Sequence, residues 1–102
     1  MTRFEIRVAL SAMTDIQKIS RWWVKHRPAS PRLFDRELDA MLGLLEVQPE
    51  IGRRVQLKAY GDVHVIMLRR SRYVVVYRIV EQEQAIWIVR VRHGRRRPLK
   101  QR

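Results

Sequence analysis

The sequence has no cysteine and no long hydrophobic run, and these absences exclude several classes of protein. Without thiols the chain can form no disulfide, no thiolate metal site and no cysteine nucleophile. Its apolar runs fall short of the ~20 residues that span a bilayer, and charges stand where a signal peptide would be apolar. We therefore expect a soluble, cytoplasmic protein with no membrane partner.

Residues that hold metals and cofactors are equally sparse. The three histidines, His26, His64 and His93, lack the spacing of metal ligands. The glycines are isolated and form no phosphate-binding loop, and no serine lies in a nucleophile elbow. The sequence therefore predicts no metal site, no cofactor and no small-molecule substrate.

Acidic residues are few, and they are unevenly distributed. Residues 1–50 contain eight Lys/Arg and seven Asp/Glu, a net charge of +1, whereas residues 51–102 contain fourteen and three, a net charge of +11. Such a field attracts a polyanion or an acidic protein and accelerates their encounter. The alternative is a solubilising surface that ends in a disordered basic tail.

The N-terminal half predicts one strand and two helices. Apolar residues alternate from Phe4 to Leu10, as in a strand with one buried face. Ser11 can cap a first helix that stops near His26, because Pro28 disfavours helical geometry in the residue before it. Ser30 and Pro31 suit the start of a second helix, which Pro49 ends before Gly52 allows a turn.

The C-terminal half predicts four strands joined by short turns, the first turn at Gly61–Asp62. Residues 73–77 are β-branched and aromatic, as in a central strand. The order β-α-α-β-β-β-β predicts an α+β domain in which a helical hairpin packs on one face of a mainly antiparallel sheet. We expect residues 1–95 to form this domain and residues 96–102 a basic tail.

Several side chains could contact a partner. Arg54, Lys58, Arg90 and Arg92 would make the face of the sheet without helices cationic, if the four share that side. On that face Tyr73 or Tyr77 could stack on RNA bases, or both could pack in the core. His93 could act as a general acid or base beside phosphate-gripping Arg92, Arg95 and Arg96, or simply occupy a turn before Gly94.

Five short segments, taken together, resemble the RelE/ParE superfamily of toxins from bacterial type II toxin–antitoxin systems. They are Leu10-Ser11-Ala12, Asp15-Ile16, Gln48-Pro49-Glu50-Ile51-Gly52-Arg53, Tyr73-Val74-Val75-Val76-Tyr77-Arg78 and Val91-Arg92-His93-Gly94-Arg95-Arg96. The resemblance covers nearly the whole chain, and it implies the fold reached above. It also implies a small basic toxin neutralised by an acidic antitoxin that wraps around it. A second apolar stripe on the second helix would suit such a wrap: Leu33, Ala40, Leu44 and Val47. Trp22, on the flank of the first helix, could anchor the same partner or lie half buried against the sheet.

The superfamily contains two activities, and the resemblance is closer to the ParE branch. RelE-like members cut mRNA in the ribosome with lysines on the strand before the Tyr-x-x-x-Tyr strand and an arginine after its first tyrosine. Val65, Met67 and Val74 occupy those positions here, and none can place charge on the scissile phosphate. ParE-type members inhibit DNA gyrase and have no known catalytic site.

We therefore expect a non-enzymatic toxin that binds DNA gyrase. Its expected target-binding residues are basic side chains and one histidine near two strand ends: Arg69, Arg70, Arg72, Arg92, His93, Arg95 and Arg96. The alternative is a ribosome-dependent mRNA endonuclease, in which His64 and His93 exchange protons and Arg95 binds the phosphate. A plain nucleic-acid-binding domain would need only the charge.

Overall fold

The computed structural model of the chain describes residues 2–95 and 100–101. Its elements follow the predicted order: β1 (Glu5–Val8), α1 (Leu10–His26), α2 (Leu33–Val47), β2 (Arg53–Leu57), β3 (Gly61–Met67), β4 (Tyr73–Val80) and β5 (Ala85–His93). The five strands form one sheet in the order β1-β5-β4-β3-β2. Neighbouring strands are antiparallel except β1 and β5, which run parallel. The α+β class and the central position of β4 are thus confirmed.

The helical hairpin covers one face of this sheet, as predicted. Ala12 and Trp23 of α1 are buried against it, with Ile16 and Ile19 partly buried beside them. These residues recur at intervals of four, three and four, which places them on one side of a helix. On α2, Phe34 is fully buried in the same core. Burial of such a side chain contributes about 1.5–3 kcal/mol, so the helices are held mainly by this shared core.

The opposite face is apolar at its centre, and the basic residues expected to share it do not coincide: the register aligns Arg90 and Arg92 with Val76 and Val74 of this face, but not Arg54. The face carries a buried cluster of Val55, Leu57, Val63, Val76 and Val89, surrounded by partly buried Tyr60, Val65, Val74 and Trp87. Arg54 lies on the helix side instead, because the register aligns it with His64 and Tyr77. Its guanidinium pairs with Asp62 at 2.6 Å.

Three predicted boundaries are also corrected. Ala9, not Ser11, is the N-cap of α1, and the Ser11 hydroxyl donates to the Val89 carbonyl at 2.8 Å instead. The second helix begins at Leu33 rather than at Pro31. The first hairpin turn precedes Gly61, which is already paired with Leu57 and has a φ of +71°.

Of the expected basic tail, only Lys100 and Gln101 lie within the described residues. The Lys100 carbonyl accepts a hydrogen bond from the Lys58 N–H at 3.0 Å. Gln101 forms an antiparallel bridge with Leu57. These two residues therefore lie along the outer edge of β2. In the described part of the chain, neither helix is long and apolar enough to cross a bilayer.

Candidate target-binding cleft

A cleft of about 760 Å³ opens at one end of the sheet, where the C-terminal half of α1 faces the β3–β4 turn and the end of β5. We call it the cationic cleft. Its lining residues are Asp15, Lys18, Ile19, Trp22, Trp23, Arg27, Arg70, Ser71, Arg72, Tyr73, Val91, Arg92, His93 and Arg95. The site thus combines residues from three elements that are distant in sequence.

Six cations and one carboxylate line the cationic cleft. The carboxylate, Asp15, is already paired with Arg90, a distance of 2.7 Å separating its Oδ2 from the guanidinium Nε. Among the described residues, the six cations form no ion pair: Lys18, Arg27, Arg70, Arg72, Arg92 and Arg95. Their charge is therefore available to an anionic partner, and the low-dielectric walls strengthen its field in the cleft.

Glu37 of α2 holds the β3–β4 turn in place. Its carboxylate accepts hydrogen bonds from the Arg70 N–H at 2.7 Å, the Ser71 N–H at 2.9 Å and the Ser71 hydroxyl at 2.6 Å. Burial raises the pKa of Glu37, but these hydrogen bonds and the nearby Arg70 charge outweigh it, so the pKa of Glu37 lies below its usual value. A single carboxylate thereby positions the turn that carries two of the cations.

Replacing Glu37 with glutamine should loosen this turn at neutral pH and matter less in acid. We expect Glu37→Gln to lower the free energy of unfolding by about 1–2 kcal/mol at pH 7, because the amide cannot accept all three hydrogen bonds. The expected loss is no larger because solvent weakens each of these bonds. A carboxylate with a lowered pKa stabilises the fold above its unfolded pKa, about 4.3, and this contribution is lost as the pH falls through the folded value.

Urea titrations at pH 7 and at about pH 3.5 measure this effect, with the exposed Glu81→Gln as the control. The difference between wild type and Glu37→Gln should shrink at the lower pH. A difference that is equal at both pH values would contradict the role assigned to the ionised carboxylate.

Arg72 lies at the end of the same turn with a φ of +70°, in the left-handed region that disfavours side chains. Its carbonyl accepts the Gly94 N–H at 2.7 Å, which ties the turn to the end of β5. A Cβ on Gly94 would lie 3.0 Å from that carbonyl, so glycine permits the approach. An arginine kept where glycine would be easier is a candidate for a functional side chain.

The α1 wall of the cationic cleft ends in an aromatic group. Trp22 stacks on His26, with ring centroids 4.8 Å apart, and the Arg27 guanidinium carbon lies 5.0 Å from the Trp22 ring centroid. About 40% of Trp22 is exposed. Trp22 lines the cleft and His26 lies outside its lining, so this exposed aromatic pair stands at the rim, beside the cations.

Tyr73 and His93 meet on the floor of the cleft. Their rings are T-shaped with centroids 5.1 Å apart, and the Tyr73 hydroxyl accepts the Trp23 indole N–H at 3.3 Å. The Arg95 N–H donates to His93 Nδ1 at 3.0 Å. Tyr73 and Tyr77 are both buried, so the core role is confirmed for both tyrosines.

The structure does not assemble the histidine pair of the nuclease alternative. His64 stacks on the Tyr77 ring, 5.3 Å between centroids, whereas His93 is paired with Tyr73. Four residues along β4 and two strand spacings separate them, which corresponds to about 16 Å between their Cα atoms. General acid–base partners act within hydrogen-bonding reach of one reacting group, so His64 and His93 cannot share one.

Most of the predicted target-binding residues do come together. Arg70, Arg72, Arg92, His93 and Arg95 all line the cationic cleft. Arg69 is exposed in the adjoining turn without lining it. Arg96 lies outside the described residues.

The residues predicted to bind an antitoxin separate into three environments. Ala40, Leu44 and Val47 form an exposed stripe on α2. Leu33 packs against the core instead, and Trp22 lies in the cationic cleft. The stripe on α2 is thus uncovered in the described part of the chain.

Comparison with known proteins identifies the family. The family model described as "ParE toxin of type II toxin-antitoxin system, parDE" matches residues 6–98. The chain belongs to this family of toxins. The ParE assignment therefore rests on a match to nearly the whole sequence, and the resemblance seen in its short segments is confirmed. Among curated proteins, none matches the chain significantly.

Solved structures share the fold of this ParE-family chain. A chain of the chromosomal ParDE system from P. aeruginosa matches with a TM-score of 0.68 and 16% identity over 89% of this chain and 96% of its own. The RelBE2 toxin–antitoxin complex from Mycobacterium tuberculosis gives 0.62 and 21% over 91% and 93%. The isolated E. coli RelE toxin gives 0.55 and 20% over 92% and 87%. At such identities the likeness concerns the fold alone.

Three parts of the ParE-family site escaped the sequence analysis. Lys18 and Arg27 belong to the cleft although their half of the chain is almost neutral. Lys18 and Trp22 each come one position before a residue on the buried side of α1, namely Ile19 and Trp23. They are four residues apart, so they share one side of the helix, and that side faces the cleft. The Glu37 contact joins residues more than thirty positions apart, so no local signal reveals it.

Proposed function

We propose that this ParE-family toxin inhibits growth by binding DNA gyrase through the cationic cleft, without catalysing a reaction of its own. The observation that carries the proposal is the group of six cations that form no ion pair among the described residues. Unpaired charges gathered in a cleft repel one another, and a bound anion relieves that repulsion. We place this activity in the cytoplasm, where its target lies.

Two observations favour binding over RNA cleavage. The positions that hold lysines in RelE-like toxins are occupied by Val65, which packs beside the buried cluster of the other face, and by Met67, which is partly exposed. Neither side chain can stabilise charge on a phosphate. His64 is also too far from His93 to complete a proton-transfer pair.

An acidic antitoxin is the proposed neutralising partner. The exposed stripe of Ala40, Leu44 and Val47 leaves apolar surface on α2 uncovered, and such surface commonly marks a protein interface. Trp22 adds an aromatic anchor at the cationic cleft. An antitoxin segment that reached from the stripe to the cleft would block the target-binding residues directly.

The double variant Arg72→Gly/Arg95→Gln tests the proposed function. We expect it to abolish growth arrest on expression and to weaken inhibition of gyrase supercoiling by at least about tenfold, because each lost charge-assisted hydrogen bond is worth roughly 1.5–3 kcal/mol. Glycine also suits the positive φ at position 72, so folding stability should be unchanged or higher by up to about 1 kcal/mol. If urea denaturation of the variant shows this stability, a loss of toxicity is not due to misfolding.

The matched control is Arg36→Gln/Arg53→Gln, which removes the same charge from exposed positions outside the cleft. This control should remain toxic. Cleavage of ribosome-bound mRNA by the wild-type protein, abolished in His93→Gln, would instead establish the endonuclease alternative. Unchanged gyrase inhibition by the cleft variant would rule out the cationic cleft as the binding site.

A further inference from the structure

We propose that the cationic cleft binds the phosphate backbone of nucleic acid directly, with a base stacked on the Trp22–His26 pair at its rim. The inference deepens the proposed function, on which it rests, because gyrase works on DNA. It implies that the toxin contacts the DNA of a gyrase–DNA complex as well as the protein.

The chemistry of the cleft cations suits phosphate. Five of the six are arginines, and only Lys18 is a lysine. The guanidinium group is planar, always charged and able to donate two parallel hydrogen bonds to one phosphate. Arg70 and Arg72 face the α1 wall from a turn that Glu37 and Gly94 hold in position. Because the backbone of this turn is already held in place, only the arginine side chains lose conformational entropy when the anion arrives.

The aromatic group distinguishes nucleic acid from an acidic polypeptide. Trp22 and His26 are stacked with an interplanar angle of 17°, and both are exposed. Arg27 lies beside them, 5.0 Å from the Trp22 ring centroid. A cationic groove lined with stacking side chains is the arrangement by which proteins bind single strands, since every base offers a flat face. A glutamate-rich segment would form ion pairs with the cations but would gain little from the stacked Trp22 and His26 rings.

Long-range charge supports the same partner. Eight of the fourteen cleft-lining residues belong to the half of the chain that carries a net charge of +11, and Arg69 is exposed just outside the cleft. A field of this size concentrates a polyanion near the cleft at low salt. Binding driven by phosphate contacts has a measurable signature, because each neutralised phosphate releases counterions.

Fluorescence anisotropy of labelled DNA, about 12 nucleotides long to match common single-strand site sizes, measures this signature across about 50–200 mM salt. We expect Arg70→Gln/Arg95→Gln to reduce the slope of log K against log salt by about 1.4 for a single strand and about 1.8 for a duplex, two phosphates being lost. Trp22→Leu should weaken single-strand binding roughly tenfold and leave the slope unchanged. Tighter binding of the single strand than of the duplex would support base stacking.

The control Arg36→Gln/Arg53→Gln removes equal charge elsewhere and should leave the slope unchanged. An equal loss of slope in that control would mean that DNA binds the general charge of the surface, which overturns the inference. Binding of a polyglutamate peptide as tight as that of DNA, with the same sensitivity to Trp22→Leu, would assign the cleft to an acidic protein segment. If no variant affects DNA binding but Arg72→Gly/Arg95→Gln still loses toxicity, the inference fails and the proposed function stands.

Discussion

Gly52→Ala is expected to lower the free energy of unfolding by about 3 kcal/mol, because there is no room for a methyl group. A Cβ on Gly52 would lie 2.5 Å from the Tyr77 hydroxyl oxygen and 2.9 Å from the ring carbon Cε1. Tyr77 is fully buried and cannot move aside. Its hydroxyl also accepts the Gly52 N–H at 2.9 Å and donates to the Pro49 carbonyl at 2.7 Å, so a shift would break both hydrogen bonds.

Chemical denaturation of Gly52→Ala and of Gly43→Ala makes the comparison. Gly43 lies within α2 and a Cβ there meets nothing within 4 Å, so alanine should stabilise the fold by about 0.5–1 kcal/mol. Replacement of glycine by alanine should thus destabilise the fold at position 52 and stabilise it at position 43. Tyr77→Phe removes the clashing oxygen. Introduced into Gly52→Ala, it should therefore lower the free energy of unfolding by less than it does in the wild type. Additive effects of the two changes would show that the contact is not the cause.

This contact gives a physical reason for two of the segments on which the resemblance rested. The Pro-Glu-Ile-Gly segment and the Tyr-x-x-x-Tyr strand meet where Gly52 approaches Tyr77. Gly52 was expected to allow a turn, but its φ of −75° is available to any residue. Space, not backbone freedom, requires glycine there. A contact between segments distant in sequence cannot be predicted from local composition, whereas the order of the helices and strands can.

Periodicity predicted the secondary structure well because it reports local burial. Residues 73–77 were expected to form a central strand, and β4 lies between β3 and β5. The distribution of charge over the faces was not predictable, since it depends on register and on a shift between Val76 and Tyr77. Of the candidate site, the cluster around His93 was found from sequence because its members are neighbours in the chain. Lys18, Arg27 and Glu37 were missed because only the tertiary fold brings them there.

Asp15→Ala is the second change with a large expected effect, a loss of about 3 kcal/mol in the free energy of unfolding. β1 ends at Val8, so the rest of β5 has no strand beside it on that edge. Asp15 fills this gap: it accepts the Val91 N–H at 3.0 Å and two bonds from the Arg90 guanidinium, at 2.7 and 3.2 Å. Alanine would leave a partly buried cation and a backbone donor without their acceptor.

The double variant Asp15→Ala/Arg90→Met separates the two losses. Methionine removes the unpaired charge and keeps apolar packing, so the double variant should be more stable than Asp15→Ala alone, while the Val91 N–H remains unsatisfied. Urea denaturation of the wild type, both single variants and the double variant gives the coupling energy. A coupling energy near zero would mean that the pair is a solvated surface contact. It would also mean that the Arg90 charge is free to contact a partner, as expected from the sequence.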